Sequence, residues 1–237
     1  MSGGAGVTIS SLNLHCGLSG QGQPFDVPAA LARLDADIIA VQEAWWTGRG
    51  RGSDAVAAAS GALGTRLIRT EISSGASLAE LNIAPLTEPG NWGIAILSKL
   101  PVLRYETLDL GRAPGDIVRR AALICSVQGP GGRPLRLVNA HLTHRFTSPA
   151  QLVRLAGHLG RSPMPTVIVG DLNMPRLATW VAPGYAPTVR GRTFPAHRPV
   201  IQLDHLLTTA QLAAECAAVL GPLGSDHLPI QARLRPS

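Results

Sequence analysis

The sequence predicts an α+β fold in which two packed β-sheets form a sandwich with helices outside. Short apolar or alternating segments bounded by Gly, Pro, Asp or Asn, which are typical of strands, outnumber the segments with helical spacing. The segment GPGGRP at 129–134 is typical of a hairpin between neighbouring strands, which argues against a uniformly parallel sheet. Because 237 residues are enough for one large core, we expect a single domain over residues 1–237.

The individual elements follow from the same patterns. Eight segments are predicted as strands: Val7-Asn13, Ile38-Gln42, Gly93-Leu97, Ala121-Val127, Leu135-Ala140, Thr166-Val169, Leu203-Leu207 and Pro229-Leu234. Helical spacing of apolar residues predicts three helices, two of which have proline near the first turn: Pro28-Leu34, Asp54-Leu63 and Pro149-Leu159. Segments rich in Gly, Ser and Pro predict surface loops at Gly48-Ser53 and Arg176-Thr193.

The chain is strongly basic, with a formal charge of +6 and a pI near 10.2. Nearly all of the positive charge is arginine, whose planar guanidinium suits phosphate better than a lysine ammonium does. This favours an anionic, phosphate-bearing substrate. Arginine-rich and lysine-poor composition also follows from high genomic GC content, so charge alone does not select a function.

Cysteine content and hydropathy indicate the cellular compartment. Three widely spaced cysteines, Cys16, Cys125 and Cys216, suggest neither a disulfide framework nor a CxxC zinc site, and a reducing compartment fits best. The first residues lack a basic segment followed by an apolar run, and no stretch approaches the roughly 20 apolar residues of a membrane span. We therefore expect a cytoplasmic monomer without a transmembrane segment.

Polar residues follow the predicted strands repeatedly, and strand ends are where binding sites are commonly built. They could converge on one edge of the sandwich as a site for a metal ion and water. The residues concerned are Asn13, His15, Glu43, His141, Asp171, Asn173, Asp204, His205, Ser225, Asp226 and His227.

The donor types in this set favour magnesium over zinc. Mg²⁺ requires hard oxygen ligands, which Glu43 and Asp226 supply. Zinc would require several Cys or His ligands at short spacing, and only His141 and His144 come close to that pattern. The expected cofactor is therefore Mg²⁺ or Mn²⁺.

Two other kinds of catalytic or binding site have weak support. Ser225, Asp226 and His227 contain the residue types of a serine-hydrolase triad, but consecutive residues of an extended chain point alternately, and the sequence has no GxSxG elbow. The glycine-rich segment 48–53 lacks the final glycine of GxGxxG and a helix that opens directly from it, so it does not predict a dinucleotide site.

Six segments, in order along almost the whole chain, resemble the signature segments of the endonuclease/exonuclease/phosphatase superfamily. The combination of GDxN with a terminal SDH is specific. The six segments are NLH from Asn13, VQEAW around Glu43, WGIAILSK from Trp92, NAHLTH from Asn139, GDLNMP from Gly170 and SDHLPI from Ser225.

This resemblance implies a four-layer sandwich, with two mostly antiparallel sheets flanked by helices and a metal site at one end. It also implies that Glu43 is the principal metal ligand, with help from Asn13, Asp226 and Asp171. Asp171 and Asn173 would position or deprotonate the attacking water, and Asn173 would also stabilise the phosphoryl oxygens.

The resemblance assigns the remaining polar residues to the phosphate. His227 would bind the phosphate, oriented by Asp204, and His141 would protonate the leaving oxygen. Arg119 or Arg120 lies near a family arginine that touches phosphate. His15 stands where many nucleases of the superfamily carry an aspartate.

The implied activity is the metal-dependent hydrolysis of a phosphate ester by in-line attack of water, as a phosphodiesterase or endonuclease. DNA and RNA are candidate partners, although few aromatics and no basic block indicate a dedicated DNA clamp. A phosphatase or phospholipase-C-type enzyme acting on a lipid or small-molecule phosphate is the alternative, and a non-catalytic phosphate-binding module is a remote one. The shared motifs do not choose between these substrates.

Overall fold

The computed structural model describes residues 6–47, 54–144, 146–160 and 163–237. The predicted loop at 48–53 lies outside the described residues. The strands are β1 (Val7–Asn13), β2 (Ile38–Trp46), β3 (Arg66–Ser77), β4 (Pro89–Ser98), β5 (Val102–Gly111), β6 (Arg120–Gln128), β7 (Pro134–Ala140), β8 (Thr166–Asp171), β9 (Ala186–Pro187), β10 (Asp204–Thr208), β11 (Leu212–Val219) and β12 (Ile230–Pro236). The α-helices are α1 (Val27–Ala32), α2 (Ala55–Ala62) and α3 (Ser148–Leu159).

The strands form two six-stranded sheets with the same pattern of pairing. The first sheet has the order β11-β12-β1-β2-β4-β3, and the second has the order β5-β6-β7-β8-β10-β9. Each sheet contains one parallel pair, β1 with β2 and β7 with β8, and its other pairs are antiparallel. The mostly antiparallel sandwich predicted from the sequence is therefore confirmed, as is the hairpin between β6 and β7.

The two sheets pack face to face and helices cover their outer faces, which gives four layers. Alternation along β1 and β2 directs Ile9, Ile38 and Ala40 into the core between the sheets and Ile39 and Val41 toward α1 and α2. The helix α3 packs in the same way on the second sheet through Leu152 and Leu155, together with β7 and β8. Strands buried on both faces explain why their sequences are nearly continuous apolar runs.

The three predicted helices are confirmed within two residues at their ends. Asp26 and Asp54 cap α1 and α2, each accepting a hydrogen bond from the backbone N–H three residues later, at 3.0 and 2.9 Å. Among the described residues, no helix combines the length and the apolar character that crossing a membrane would require.

Four strands were not predicted: β3, β5, β9 and β11. β3, β5 and β11 are long but expose much of their surface, and β3, β5, β9 and β11 are the four sheet edges. Edge strands carry polar or small side chains because one side faces solvent, so their hydrophobic pattern is weak. The predicted loop 176–193 contains the 3-10 helix Arg176–Val181 and the short strand β9.

The topology brings one end of both sheets to a common site. β1, β2, β7 and β8 all end there, and β10 begins there. The segment that precedes β12 returns to the same end, because the Ser225 hydroxyl donates a 2.6 Å hydrogen bond to the carbonyl oxygen of Asn13. This end carries all the strand-end polar residues singled out from the sequence.

Candidate functional site

A cavity of about 750 Å³ opens at this end of the sandwich. Its polar side is formed by the strand-end side chains, and its remaining walls come from the loops between strands. The polar lining consists of His15, Glu43, Asn82, Asp116, Arg120, His141, His144, Asp171, Asn173, Asp226 and His227.

Asn13 links the two sheets at the polar side of the cavity. Its Nδ2 donates to Glu43 Oε1 and to Asp171 Oδ2, both at 3.1 Å, so the carboxylates of β2 and β8 share one amide donor. The Asn13 Oδ1 accepts a 2.9 Å hydrogen bond from the backbone N–H of His15. Asn13 is buried and fully engaged, so it holds both acids in place.

Glu43 lies at a β-bulge where the pairing of β2 with β4 shifts between Val41 and Ala44. Its φ of 49° is unusual for a residue other than glycine, and such backbone strain concentrates at functional sites. The bulge turns the Glu43 carboxylate into the cavity. Burial opposes its ionisation, but the contact with His15 at 3.7 Å and the bond from Asn13 lower its pKa to about 2.

The segment Gly170 to Asn173 forms a second strained corner. Gly170 has a φ of 136°, and a Cβ there would stand 2.1 Å from the Ala140 carbonyl oxygen, so only glycine fits. Asn173 has a φ of 51°, and its backbone N–H donates to Asp171 Oδ1 at 3.0 Å. Its Nδ2 donates to the Leu142 carbonyl at 3.0 Å, which fixes the amide beside the cavity.

Asp171 is almost completely buried at the centre of the polar groups. Burial and the nearby carboxylates of Asp204 and Glu43 together raise its pKa to about 7, against the opposing effects of His227 and Asn13. A carboxyl group with a pKa near neutrality can both accept and release a proton at physiological pH.

His227 and Asp204 form a buried pair, with 2.9 Å between His227 Nδ1 and Asp204 Oδ2. His227 Nε2 lies 3.8 Å from Asp171 Oδ2. Burial alone would lower the pKa of His227, but the charges of Asp204 and Asp171 outweigh it and raise the pKa to about 10. The ring is therefore an imidazolium at neutral pH, and Phe194 packs against it with ring centroids 4.8 Å apart.

His141 has the opposite electrostatic environment. Its Nε2 lies 3.8 Å from Glu43 and 3.7 Å from Asp171, while its Nδ1 is buried without a hydrogen-bond partner. Burial, reinforced by the charge of Arg120, lowers its pKa to about 3. His141 is therefore neutral at neutral pH in the resting site.

His15 lies between two carboxylates at the cavity rim. Its Nδ1 is 3.7 Å from Glu43 Oε2 and 3.6 Å from Asp226 Oδ2. The contact with Glu43 raises the pKa of His15 despite partial burial, and the charge of Asp226 adds to the effect. Burial raises the pKa of Asp226 itself. Glu43 and Asp226 thus face the same small volume.

The two arginines considered for phosphate binding are separated by the structure. Arg120 is buried at the cavity wall, where its Nε donates to Asp116 at 2.9 Å, its guanidinium lies 5.4 Å from the Trp92 ring and its Nη1 has no partner. Arg119 is exposed, pairs with Asp109 and is not part of the cavity lining. Arg120 is therefore the one of the two that faces the site.

A network of buried side-chain amides lies between the two sheets next to the site. Gln42 Nε2 donates to Asn139 Oδ1 at 2.7 Å, which joins β2 to β7 across the sandwich. Asn139 Nδ2 donates to the carbonyls of Val41 and Ala95 at 2.9 and 2.8 Å. The sequence motifs included both amides, but their role as a bridge between sheets was not predicted.

The predicted site residues converge, with Arg119 as the exception. Sequence reasoning missed Asp116 and Phe194, which contact Arg120 and His227, and it gave no role to Trp92, although Trp92 begins one of the signature segments. Asp116 lies four residues before Arg120, a spacing that could have signalled the ion pair. Phe194 is distant in sequence from the residue that it contacts, so no local pattern indicated it.

The donor set fits a hard divalent cation. Glu43 and Asp226, with Asp171 beside them, offer carboxylate oxygens, which Mg²⁺ and Mn²⁺ prefer, and Asn13 Nδ2 holds the Glu43 and Asp171 carboxylates in place. A second group, Asp171, Asp204 and His227, brings one donor atom from each residue within 4.8 Å of the others. Because Asp204 is already hydrogen bonded to a protonated His227, we favour the oxygen-rich set around Glu43.

The sequence model of the Endonuclease/Exonuclease/phosphatase family matches residues 10–227, and the chain belongs to this family. Its members are generally phosphoesterases and typically depend on divalent metal ions. No curated protein matches the chain at a significant level.

Solved structures share the fold at low sequence identity. An endonuclease/exonuclease/phosphatase from Beutenbergia cavernae is 21% identical with a TM-score of 0.77, over 98% of this chain and 72% of that one. The human Nocturnin catalytic domain with bound sulfate is 15% identical with a TM-score of 0.74, over 98% and 94% of the two chains. A mannosyl-6-phosphatase from Bacteroides thetaiotaomicron is 15% identical with a TM-score of 0.72, over 97% and 99%.

Proposed function

We propose that the protein is a divalent-metal-dependent phosphodiesterase that hydrolyses its substrate by in-line attack of water. The observation that carries this proposal is the geometry around Asp171, a buried carboxyl group that faces the cavity beside Glu43 and His227 and is held by hydrogen bonds from Asn13 and Asn173, and its pKa of about 7 agrees with it. A general base works best when its pKa lies near the working pH. The proposal assigns each polar group of the cavity to one part of the reaction.

Glu43 and Asp226 would hold Mg²⁺ or Mn²⁺, with Asn13 fixing the Glu43 carboxylate. When bound, the ion supplies positive charge that neutralises the phosphoryl oxygens. Glu43 is suited to this role because it is ionised, with a pKa of about 2, and because the bulge fixes its direction.

Asp171 accepts the proton of the attacking water, and Asn173 orients that water. Asn13 and the backbone N–H of Asn173 each donate to one Asp171 oxygen, so the carboxylate cannot rotate away from the cavity. Asn173 uses one amide hydrogen on the Leu142 carbonyl and keeps its Oδ1 and the other hydrogen for water or a phosphoryl oxygen.

His227 and Arg120 bind the non-bridging phosphoryl oxygens. The His227 imidazolium is oriented by Asp204 and turns its Nε2 toward Asp171 and the cavity. Arg120 adds its unpartnered Nη1, with its orientation fixed by Asp116. Preorganised donors of this kind stabilise the charge that develops in the transition state.

His141 donates a hydrogen bond to the leaving oxygen. Its low pKa keeps the resting ring neutral, so it offers one N–H and does not carry a stored proton. This N–H stabilises the negative charge that builds on the departing oxygen, and the proton that Asp171 takes from the attacking water balances the one that the alcohol finally gains. This assigns His141 to the leaving group and His227 to the phosphate.

The charge of the cavity favours a diester over a monoester. Glu43, Asp171 and Asp226 face the phosphate position, while Arg120 is partly neutralised by Asp116. A diester brings one negative charge and a monoester brings about 1.5 to 2, and the bound ion, His227 and Arg120 have to offset the carboxylates as well as the substrate, which is easier for the diester. Nucleic acids and phospholipids both contain diesters.

The test compares bis-p-nitrophenyl phosphate with p-nitrophenyl phosphate, each in EDTA or with added Mg²⁺ or Mn²⁺. We expect turnover of the diester to exceed that of the monoester, to vanish in EDTA and to return with metal. Full activity in metal-free buffer would contradict the metal dependence. Preference for the monoester would contradict the assignment as a phosphodiesterase.

A further inference from the structure

Large apolar side chains project from four separate loops around the mouth of the cavity. Ile117 lines the cavity and is 50% exposed, Phe146 is fully exposed, Leu177 is 79% exposed and Val200 is 60% exposed. Each of the last three lies within two residues of a cavity-lining residue. Those neighbours are His144, Pro175 and Ile201.

The loop that carries Leu177 presents a continuous apolar face. Leu177 and Trp180 are three residues apart in the 3-10 helix Arg176–Val181, and residues at that spacing lie on the same side of such a helix. Trp180 is also exposed. Tryptophan prefers the boundary between water and an apolar phase because its ring is apolar and its N–H is polar.

The apolar surface continues from the mouth into the cavity. The walls between the mouth and the phosphate-binding residues carry large apolar groups from the β3–β4, β5–β6 and β9–β10 connections. These residues are Leu81, Ile83, Val118, Phe194, Ile201 and Leu203.

Basic residues accompany these side chains on one loop. Arg190, Arg192, His197 and Arg198 are exposed in the connection between β9 and β10, which also carries Val200. Two exposed acidic residues, Glu80 and Glu88, lie on the connection between β3 and β4, and Glu80 is engaged by Ser77. The basic loop is thus complementary to an anionic surface that touches the exposed apolar residues.

We propose that the cavity mouth docks on an anionic lipid bilayer and that the substrate is a phosphodiester of a membrane lipid. This inference rests on the proposed function. The interface of the bilayer takes up the exposed apolar side chains, which are Ile117, Phe146, Leu177, Trp180 and Val200. The arginines of the β9–β10 connection contact anionic headgroups. Water attacks phosphorus, one P–O ester bond breaks, the departing alcohol takes the proton, and a phosphomonoester remains.

A lipid surface accounts for the rim better than a nucleic acid does. Binding of single-stranded nucleic acid uses aromatic stacking along a basic groove, whereas three of the five exposed mouth residues, Ile117, Leu177 and Val200, are aliphatic and cannot stack on a base. Single exposed hydrophobic residues are common on proteins, but their concentration on four loops around one cavity is a feature of interaction sites. Contact with a bilayer would cover the exposed apolar residues of the mouth and would also place lipid substrate at the opening of the cavity.

The test measures membrane binding without turnover. The protein is sedimented in EDTA with vesicles of phosphatidylcholine, or of phosphatidylcholine with phosphatidylglycerol. We expect the wild type to sediment with the anionic vesicles and the doubly substituted Leu177→Ser/Trp180→Ser protein to partition about tenfold less. The matched control is Leu103→Ser/Tyr105→Ser, which removes two exposed apolar side chains of β5 near the opposite end and should bind as the wild type does.

Tryptophan fluorescence provides a second measurement on the wild type. Trp46 and Trp92 are buried and Trp45 is half-buried, so a blue shift on addition of anionic vesicles should come from Trp180 and disappear in Trp180→Phe. Three outcomes would overturn the inference. The protein could bind neither kind of vesicle, the β5 control could lose as much binding as the Leu177→Ser/Trp180→Ser protein, or the protein could bind plasmid DNA and not vesicles. Hydrolysis of the soluble diester separates the two proposals, because its failure contradicts the proposed function whereas failure to bind vesicles contradicts only the lipid surface.

Discussion

The two ends of the sandwich differ in backbone strain and in the kinds of side chain that they bury. At the site end, His15, Glu43, Asn82 and Asn173 line the cavity with positive φ, although none is glycine. At the opposite end Asp35 has the same backbone conformation. Each such residue costs about 1–3 kcal/mol, so the strain of the fold is concentrated where the cavity lies.

The buried side chains differ in the same way. The site end buries Asp171, Asp204 and His227 against one another. The opposite end contains a cleft of about 500 Å³ between the sheets, which is lined mainly by apolar residues such as Leu135, Leu212 and Leu234. Apolar burial at the opposite end and in the centre of the sandwich stabilises the fold. The site end instead holds buried charges and strained backbone, which cost stability and serve the reaction.

The largest expected effect comes from Glu43→Gln. Loss of the charged ligand should reduce turnover of the soluble diester about 10³-fold, since it removes preorganised charge at the reacting centre. The unfolding temperature of the metal-free protein should stay close to that of the wild type. Kinetics and thermal unfolding would check both.

The control for that variant is Asp35→Asn at the opposite end. Asp35 also has positive φ, but its side chain is 94% exposed and lies away from the cavity. Its substitution should leave turnover unchanged. A large drop in unfolding temperature for Glu43→Gln would instead mark Glu43 as a structural residue.

Leu234→Ala is expected to have the converse effect. Leu234 is completely buried in the core between the sheets. Its truncation should lower the free energy of unfolding by about 2–5 kcal/mol, while the folded protein retains its activity. Chemical denaturation and assays well below the unfolding temperature would test this. A loss of turnover without a loss of stability would show that Leu234 affects the reaction and is not only a core residue.

A smaller effect is expected from His141→Ala, and it depends on the leaving group. Alkyl esters need a donor for the departing oxygen, so their hydrolysis should slow about 10²-fold, the lower end of the usual range for acid catalysis. Activated p-nitrophenyl esters should slow much less. Equal slowing of both substrates would show that His141 contacts the phosphate or the metal.

His227→Ala is the matched comparison for that experiment. Because His227 is assigned to the non-bridging oxygens, its removal should slow good and poor leaving groups alike. Asp204→Asn should produce the same pattern more weakly, since Asp204 acts by orienting the ring through the 2.9 Å contact.

The remaining prediction concerns stability against pH. The pKa of His227 is about 10 in the fold, above the value of about 6.5 expected in the unfolded chain. Its contribution to stability is therefore complete below pH ~6.5 and is lost as the pH rises through about 10. The unfolding temperature of the protein in EDTA should fall between pH 7 and 10, and His227→Gln should flatten that dependence.

The motifs and the buried strands could be predicted from the sequence, but the exposed edges could not. Residues 38–41 and 167–169 are continuous apolar runs, and Glu43 and Asp171 each follow two residues later, so both the strands and their functional residues were apparent. β3 and β11 were missed because edge strands lack a clear hydrophobic pattern.

The sequence by itself determined which chemical groups the protein has and that they follow strands, because strand periodicity and strand-end residues are local properties. The tertiary structure decided how those groups act on one another. Asp171 and His227 have pKa values of about 7 and 10 only because Asp204, Asn13 and Glu43 meet them in one buried volume. Electrostatic interactions depend on distance and burial, which arise when residues far apart in the chain pack together.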